Sequence, residues 1–389
     1  MSRKFSQPEN RAMRMTWIRT FFWFLVLGAL LALVVSFSHG ITGAGVVGAL
    51  FCGVMLLAAL FSNKITPALV KAYDPIPGDP YSDRAIKVTN IAWTEFLAGV
   101  AQEPFGSELV KLMKQPPVKL ADNPAPNAFC TGWNWHRSVV VVFKSLFDAF
   151  DWANQKYYGL SPERAREVSD RQVVGVLMHE FGHYLHRDVA ITSVAGCINT
   201  MIAFLLAGMF RVLVNPWVPK IPVLRNVALF IMEYIVIRYV NKALRLPQAA
   251  ISRQRETAAD IVSAEFTGNP CLLASGLGNL EAYIKEVVLP AELAKRKALK
   301  ATGQADFYSH AILHACEHAV LDGLGICMFV HPPYLAAAMP NGRPKHTWWD
   351  RITADHPDTT ARITMCEGFN GGAGSCQIAT PVLNVVQKG

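Results

Sequence analysis

From Thr20 to Asn63 the chain runs 44 residues without an Asp, Glu, Lys or Arg. A single membrane span needs only about 20 apolar residues, so this run is long enough to cross a bilayer twice. Its middle, Ser36 to Gly45, is polar and glycine-rich. Two helices joined by a short turn are therefore expected. Arg3, Lys4, Arg11, Arg14 and Arg19 precede the run, and Lys64 and Lys71 follow it. Basic flanks favour the cytosolic side, and a hairpin lets both flanks stay there. The run is too long for a cleaved signal peptide, and no small-residue cleavage pattern follows it.

A second uncharged run, Val189 to Phe210, covers 22 residues and predicts a third span. The apolar stretch behind it carries Arg225, Glu233 and Arg238, which suits a fourth span, an interfacial segment or the lining of a bundle. The totals agree with a membrane chain, since 52% of residues are hydrophobic and only 17% charged. Soluble domains average about a quarter charged. The net charge of +8 raises the question of nucleic acid. However, the basic residues sit mainly at the borders of apolar runs and no recognised nucleic-acid module accompanies them, so nucleic acid is not an expected partner. The eight cysteines lie far apart with no CxxC pair, the usage of a reducing compartment, where unpaired thiols are expected.

The whole chain is expected to be mainly α with a small β-sheet, in four stretches. These are an N-terminal segment and hairpin (1–63), the first part of a soluble domain (64–188), a second apolar hairpin (189–241) and the second part of that domain (242–389). Ser138 to Phe143 holds four successive valines and reads as a buried strand. Ser161-Pro162-Glu163 is a helix start, with Pro at the first helical position and acid in the first turn. A further start is expected at Ser169-Asp170.

His179-Glu180-Phe181-Gly182-His183 is an HExxH pentad. On a helix, residues four apart share a face, so both imidazoles can reach one ion while Glu180 stands beside the open coordination position. A catalytic zinc needs a third protein ligand. His186 is excluded, because seven residues of helix separate it from His179 by about 10.5 Å. Glu256 is the better candidate. It lies in Arg255-Glu-Thr-Ala-Ala-Asp260, which puts two carboxylates on one helical face. Glu256 would ligate, and Asp260 would accept a hydrogen bond from a ligand imidazole and so fix its tautomer. One Zn²⁺ per chain follows, with Glu180 as the base that activates the attacking water. His314-Ala-Cys-Glu317-His318 fits the inverted HxxEH pattern. It lacks a helical downstream carboxylate of the Glu256 kind, so it is expected to be a set of surface or packing residues.

In their order along the chain these features resemble the HtpX group of membrane zinc endopeptidases, relatives of the CAAX prenyl proteases. The resemblance covers the N-terminal hairpin, Pro126-Asn127-Ala128-Phe129, the HExxH helix ending in Arg187-Asp188, the second hairpin and Glu256-x-x-x-Asp260. It ends with His356-Pro-Asp-Thr-Thr-Ala-Arg362-Ile363. It implies a zincin-like metalloprotease domain with two transmembrane hairpins. Asn127, Ala128 and Phe129 would pair with an extended substrate, and His356 or Arg362 would steady the developing oxyanion. It also implies turnover of damaged or misassembled membrane proteins at the cytosolic face of a bacterial inner membrane, as part of a stress response. The partners would then be polypeptides and the lipid bilayer, with a homo-oligomer left open. The segment from Thr267 to Asp350 departs from the family pattern. Two alternatives stand beside the endopeptidase: a CAAX-type prenyl protease, which would call for a larger membrane chamber, and a non-catalytic, metal-stabilised membrane scaffold or chaperone.

Overall fold

The computed structural model describes residues 60–124, 126–188, 249–288 and 359–370, together with positions 53, 57, 190, 290, 291, 294 and 376. Nearly all of the first apolar run, and all of the second hairpin but position 190, lie outside this set. So do His356, the HxxEH sequence and nearly all of the segment after 370. Among the described residues no helix is long and apolar enough to cross a membrane.

The described residues are mainly helical around one small sheet. Helices α1 (Ser62–Leu69), α2 (Pro80–Ala101) and α3 (Gly106–Leu112) precede strands β1 (Val118–Ala121), β2 (Ala128–Gly132) and β3 (Ser138–Phe143). Helices α4 (Lys144–Tyr158) and α5 (Pro162–His186) follow. A helix over 249–266, α6, leads to α7 (Cys271–Tyr283), which runs into a π-helical turn at Ile284–Val288; α8 is Thr359–Phe369.

The valine run became the central strand. The sheet order is β1-β3-β2, with β1 parallel and β2 antiparallel to β3. Val140 and Val142 point into the main core, whereas Val141 and Phe143 point to the opposite face, under Ile65 and Val70. A strand covered on both faces has no polar side, which is why its sequence shows no alternation.

Helix α5 is the axis of the fold. Ser161 caps it, accepting a hydrogen bond from the Arg164 amide, and Pro162 occupies the first turn. It then continues unbroken for 25 residues. The expected second start at Ser169-Asp170 is absent, because both side chains are used elsewhere. Ser169 donates to the Ala165 carbonyl, and Asp170 is paired with Arg84 at 2.9 Å. Phe181 packs against Trp93 and Phe96 with ring centroids 5.3 Å away in both cases. Burial of such rings contributes on the order of 1.5–3 kcal/mol each. On its other side α5 approaches α6 and α7 closely. A Cβ on Gly182 would lie 2.8 Å from the Ala259 Cα, and one on Gly175 would lie 3.1 Å from Leu272 and Leu273. Small residues at these two crossings bring α6 down onto the face that carries the histidines.

Helix α8 packs on α7 through buried Ile363 and Cys366. A disulfide joins Cys271, at the start of α7, to Cys376. This corrects the expectation of unpaired thiols. Wide spacing in sequence carried no sign of this bridge, because the two cysteines are 105 residues apart and meet only once α8 has docked. Among the described cysteines, Cys130 and Cys366 are free and buried.

Candidate metal centre

The last turns of α5 carry the two histidines to a place where α6 crosses over them. His179 Nε2 and His183 Nε2 are 3.0 Å apart. One oxygen of Glu256 lies 3.5 Å from His179 Nε2 and the other 3.3 Å from His183 Nε2. Ligand atoms held about 2.0–2.1 Å from one tetrahedral ion would be separated by about 3.3 Å, so two imidazole nitrogens and a carboxylate at these distances could hold a metal ion. All three side chains are buried.

Glu180 also has an oxygen within 4.8 Å of both imidazole donors, so proximity alone does not separate ligand from base. The two glutamates differ in their partners. Glu256 addresses both Nε2 atoms, whereas Glu180 is drawn aside by the Cys130 amide, which donates to Glu180 Oε2 at 2.9 Å. Burial raises the Glu180 pKa above the ordinary carboxylate range. The nearby His183 and His179 and the Cys130 amide pull it back in part.

Each imidazole is gripped from behind. His179 Nδ1 is 2.7 Å from Asp260 Oδ1, and His183 Nδ1 is 2.6 Å from Asp188 Oδ2. With a proton on Nδ1 donated to the carboxylate, each ring presents its Nε2 lone pair forward. Arginines hold the carboxylates in turn. Arg362 makes two bonds to Asp260, at 2.8 and 2.6 Å, and Arg255 Nε lies 3.1 Å from Asp188. Burial pushes the Asp188 pKa up, but Arg255 and His183 outweigh it and hold the group at about 2. Burial likewise opposes charge on His183, yet Glu256 and Asp188 lift its pKa to about 10. A carboxylate field strong enough to hold a proton there is also a field that favours a dication.

Thus the structure brings together His179, Glu180, His183, Glu256, Asp260 and Arg362. Arg362 stands behind the donors, beside Asp260, with Nη1 3.6 Å from Glu256. Two partners were missed in the sequence, Asp188 and Arg255. Asp188 was visible only as the residue after the helix. It reaches back because Arg187 caps α5 in the left-handed conformation (φ 56°), turning the chain towards His183.

Strand β2 borders the same place. The Phe143 amide bonds to the Asn127 carbonyl, so the alternation of an antiparallel pair turns Asn127, Phe129 and Thr131 towards β3. Ala128 and Cys130 then direct their backbone groups away from β3, to the edge beside Glu180. The Ala128 amide meets the Asn127 side chain, and the Cys130 amide meets Glu180.

A buried HExxH helix crossed by a carboxylate helix and bordered by a sheet edge defines a metallopeptidase centre. The chain belongs to peptidase family M48, whose sequence pattern matches residues 106–368, and is a metalloendopeptidase of the HtpX type. It is similar to Protease HtpX of Legionella pneumophila, at 28% identity over 279 residues, 69% of this chain and 84% of that protein. It is also similar to the Protease HtpX homologs of Methylibium petroleiphilum and Methanopyrus kandleri. The first is 31% identical over 188 residues, 47% of this chain and 56% of that protein. The second is 30% identical over 168 residues, 43% of each.

Proposed function

We propose that the chain hydrolyses peptide bonds with one zinc ion held by His179, His183 and Glu256. The observation that carries this is the convergence of two buried imidazole nitrogens 3.0 Å apart with the Glu256 carboxylate, whose two oxygens lie 3.5 and 3.3 Å from them. A zinc ion there would act as a Lewis acid and lower the pKa of a coordinated water to about 7. Glu180 accepts the proton of the attacking water and returns it to the leaving amine. Its raised pKa suits that task, since a stronger base takes the proton more readily. Asp260 and Asp188 keep both rings in the tautomer that binds metal, and Arg362 and Arg255 keep those carboxylates ionised. Arg362 acts through Asp260 in this scheme, because its fork is already engaged there; the oxyanion role is left to His356.

The substrate chain pairs with the outward edge of β2 through the backbone of Ala128 and Cys130, continuing the Asn127–Phe129 segment. Pairing through main-chain groups gives weak sequence preference. Substrates are misfolded or misassembled membrane polypeptides. The two hairpins at 1–63 and 189–241 anchor a soluble domain made of 64–188 and 242–389, and the basic flanks support a cytosolic site. One observation favours a second placement, on the oxidising side of the membrane: the Cys271–Cys376 disulfide, a bond rare in reducing compartments.

Both points are tested with the full-length protein. The purified enzyme should cleave casein, lose the activity to a chelator and regain it with zinc. Cleavage indifferent to the chelator would overturn the metal mechanism. A protease-sensitive tag near Trp133 should resist external protease in sealed cells until the membrane is opened. Cleavage of the tag in intact cells would place the site on the oxidising side.

A further inference from the structure

The Cys271–Cys376 bridge ties together two parts of the scaffold around the metal centre. Cys271 opens α7, and the next two residues, Leu272 and Leu273, pack against Gly175 of α5, one turn before His179. Cys376 follows α8 in the chain and is buried in the same apolar cluster as Ile363 and Cys366 of that helix. Asn370, the residue after α8, reaches the same place, where its Nδ2 donates to Cys271 Sγ at 3.2 Å. The bridge therefore fastens the C-terminal end of α8 to the start of α7.

Helix α8 needs such a fastening. It has 11 residues, and isolated helices shorter than about 12–15 residues are marginal in water. The sequence between it and Cys376 includes Gly371-Gly-Ala-Gly374, which has much backbone freedom to lose on ordering. A covalent tie removes part of that freedom from the undocked state, and so favours docking. What α8 delivers is Arg362, bonded twice to Asp260, which in turn holds His179 Nδ1 at 2.7 Å. Bridge, helix, arginine, aspartate and metal-binding imidazole thus form one chain of contacts.

Two features also favour the opened bridge. Cys271 is the first residue of a 13-residue helix, where a thiolate is stabilised by the helix N-terminus. The Asn370 amide already addresses the same sulfur. A stabilised thiolate makes a disulfide easier to reduce. At a cytosolic face, a disulfide is one that forms and breaks rather than one that persists.

We propose that the Cys271–Cys376 disulfide is a redox latch on the metal centre. Closed, it holds α8 so that Arg362 grips Asp260; opened, it releases α8, and His179 loses its fixed orientation. The latch rests on the zinc site proposed above. A dithiol opens it. One thiolate of the dithiol attacks a bridge sulfur, breaking the S–S bond and forming a mixed disulfide, and its second thiol then displaces the cysteine. Cys271 and Cys376 gain two electrons and two protons, and the dithiol leaves as its own disulfide. A small-molecule disulfide closes the latch by the reverse exchanges.

The test is a zinc titration of metal-free, full-length protein in two forms. One is bridged with glutathione disulfide; the other is reduced with a phosphine, with each reagent removed first and the bridge checked by peptide mapping. The reduced form should bind zinc more weakly by up to about 10-fold, the lower bound for losing an outer partner outright. Amides of 359–370 should exchange hydrogen faster in that form. Cys271→Ser and Cys376→Ser should each bind as the reduced wild type does, whatever the redox treatment. Arg362→Ala should bind weakly and equally in both forms, because the relay through which the latch acts is already gone. Equal affinities for the two wild-type forms, a redox response kept in either serine variant, or an undiminished response in Arg362→Ala would overturn the latch while leaving the zinc site standing. A bridged wild type that takes up no zinc would overturn that site, and the latch with it.

Discussion

The two histidines of the metal centre are held by the same kind of relay, carboxylate on Nδ1 and arginine on carboxylate, yet the two relays are built differently. The His183 relay begins locally. Asp188 is five residues away and gets there through the left-handed cap at Arg187. The His179 relay is assembled from distance. Asp260 comes from α6 and Arg362 from α8, which is 102 residues beyond Asp260 and 183 beyond His179. Three helices must be docked before that relay exists. The local relay orients a ligand; the long-range one also reports that the domain is assembled. The guanidinium at its end has a second option, since Arg362 Nη1 is 3.6 Å from Glu256.

That difference makes the consequences of damage unequal. The largest effect belongs to the residue common to both histidines. Glu256→Ala removes a donor that faces both Nε2 atoms, so it should abolish stoichiometric zinc binding, measured by metal analysis of the purified protein. Equal zinc content in variant and wild type would show that a different third ligand is used. Next comes the long-range relay. Asp260→Ala should weaken zinc affinity by about 10–100-fold, and it also leaves Arg362 as a buried charge without its bidentate partner. Arg362 would then turn towards Glu256 and compete with the metal. Removing that charge in an Asp260→Ala, Arg362→Ala double variant should recover part of the loss. Asp188→Ala should fall at the lower end of the same range, about 10-fold, because Arg255 Nε stands 3.1 Å from Asp188 whereas Arg362 grips Asp260 with bonds of 2.8 and 2.6 Å. Zinc titrations giving equal losses for the two aspartates, or no recovery in the double variant, would dissolve the distinction between the relays.

Much of this centre could be read from the chain because its parts are local. The HExxH spacing lies within one helix, Glu256 and Asp260 within another, and the capped start at Ser161-Pro162 marks where the first begins. The valine run declared a strand covered on both faces, and β3 is that strand. What could not be read depends on docking or on a single backbone conformation. Asp188 becomes a partner of His183 only through the unusual φ of Arg187, a non-glycine residue whose identity gives no hint of it. The Cys271–Cys376 bridge depends on α8 finding α7 across a long separation. Ser169-Asp170 looked like a cap because both residue types favour one. Asp170 instead anchors Arg84, and Ser169 bonds to the preceding turn while accepting from Asn154. Arg362 sat in a motif that suggested contact with substrate, and only the position of α8 shows its fork engaged by Asp260.

In the proposed mechanism two buried glutamates beside the same histidines have different work, Glu256 binding the metal and Glu180 moving the proton. Replacing Glu180 by Gln keeps its shape and removes its basicity. Zinc content and casein cleavage should therefore be measured together on purified full-length Glu180→Gln. About one zinc per chain with hydrolysis abolished is the predicted result. Turnover retained at the wild-type rate, or zinc lost along with it, would contradict the division of labour.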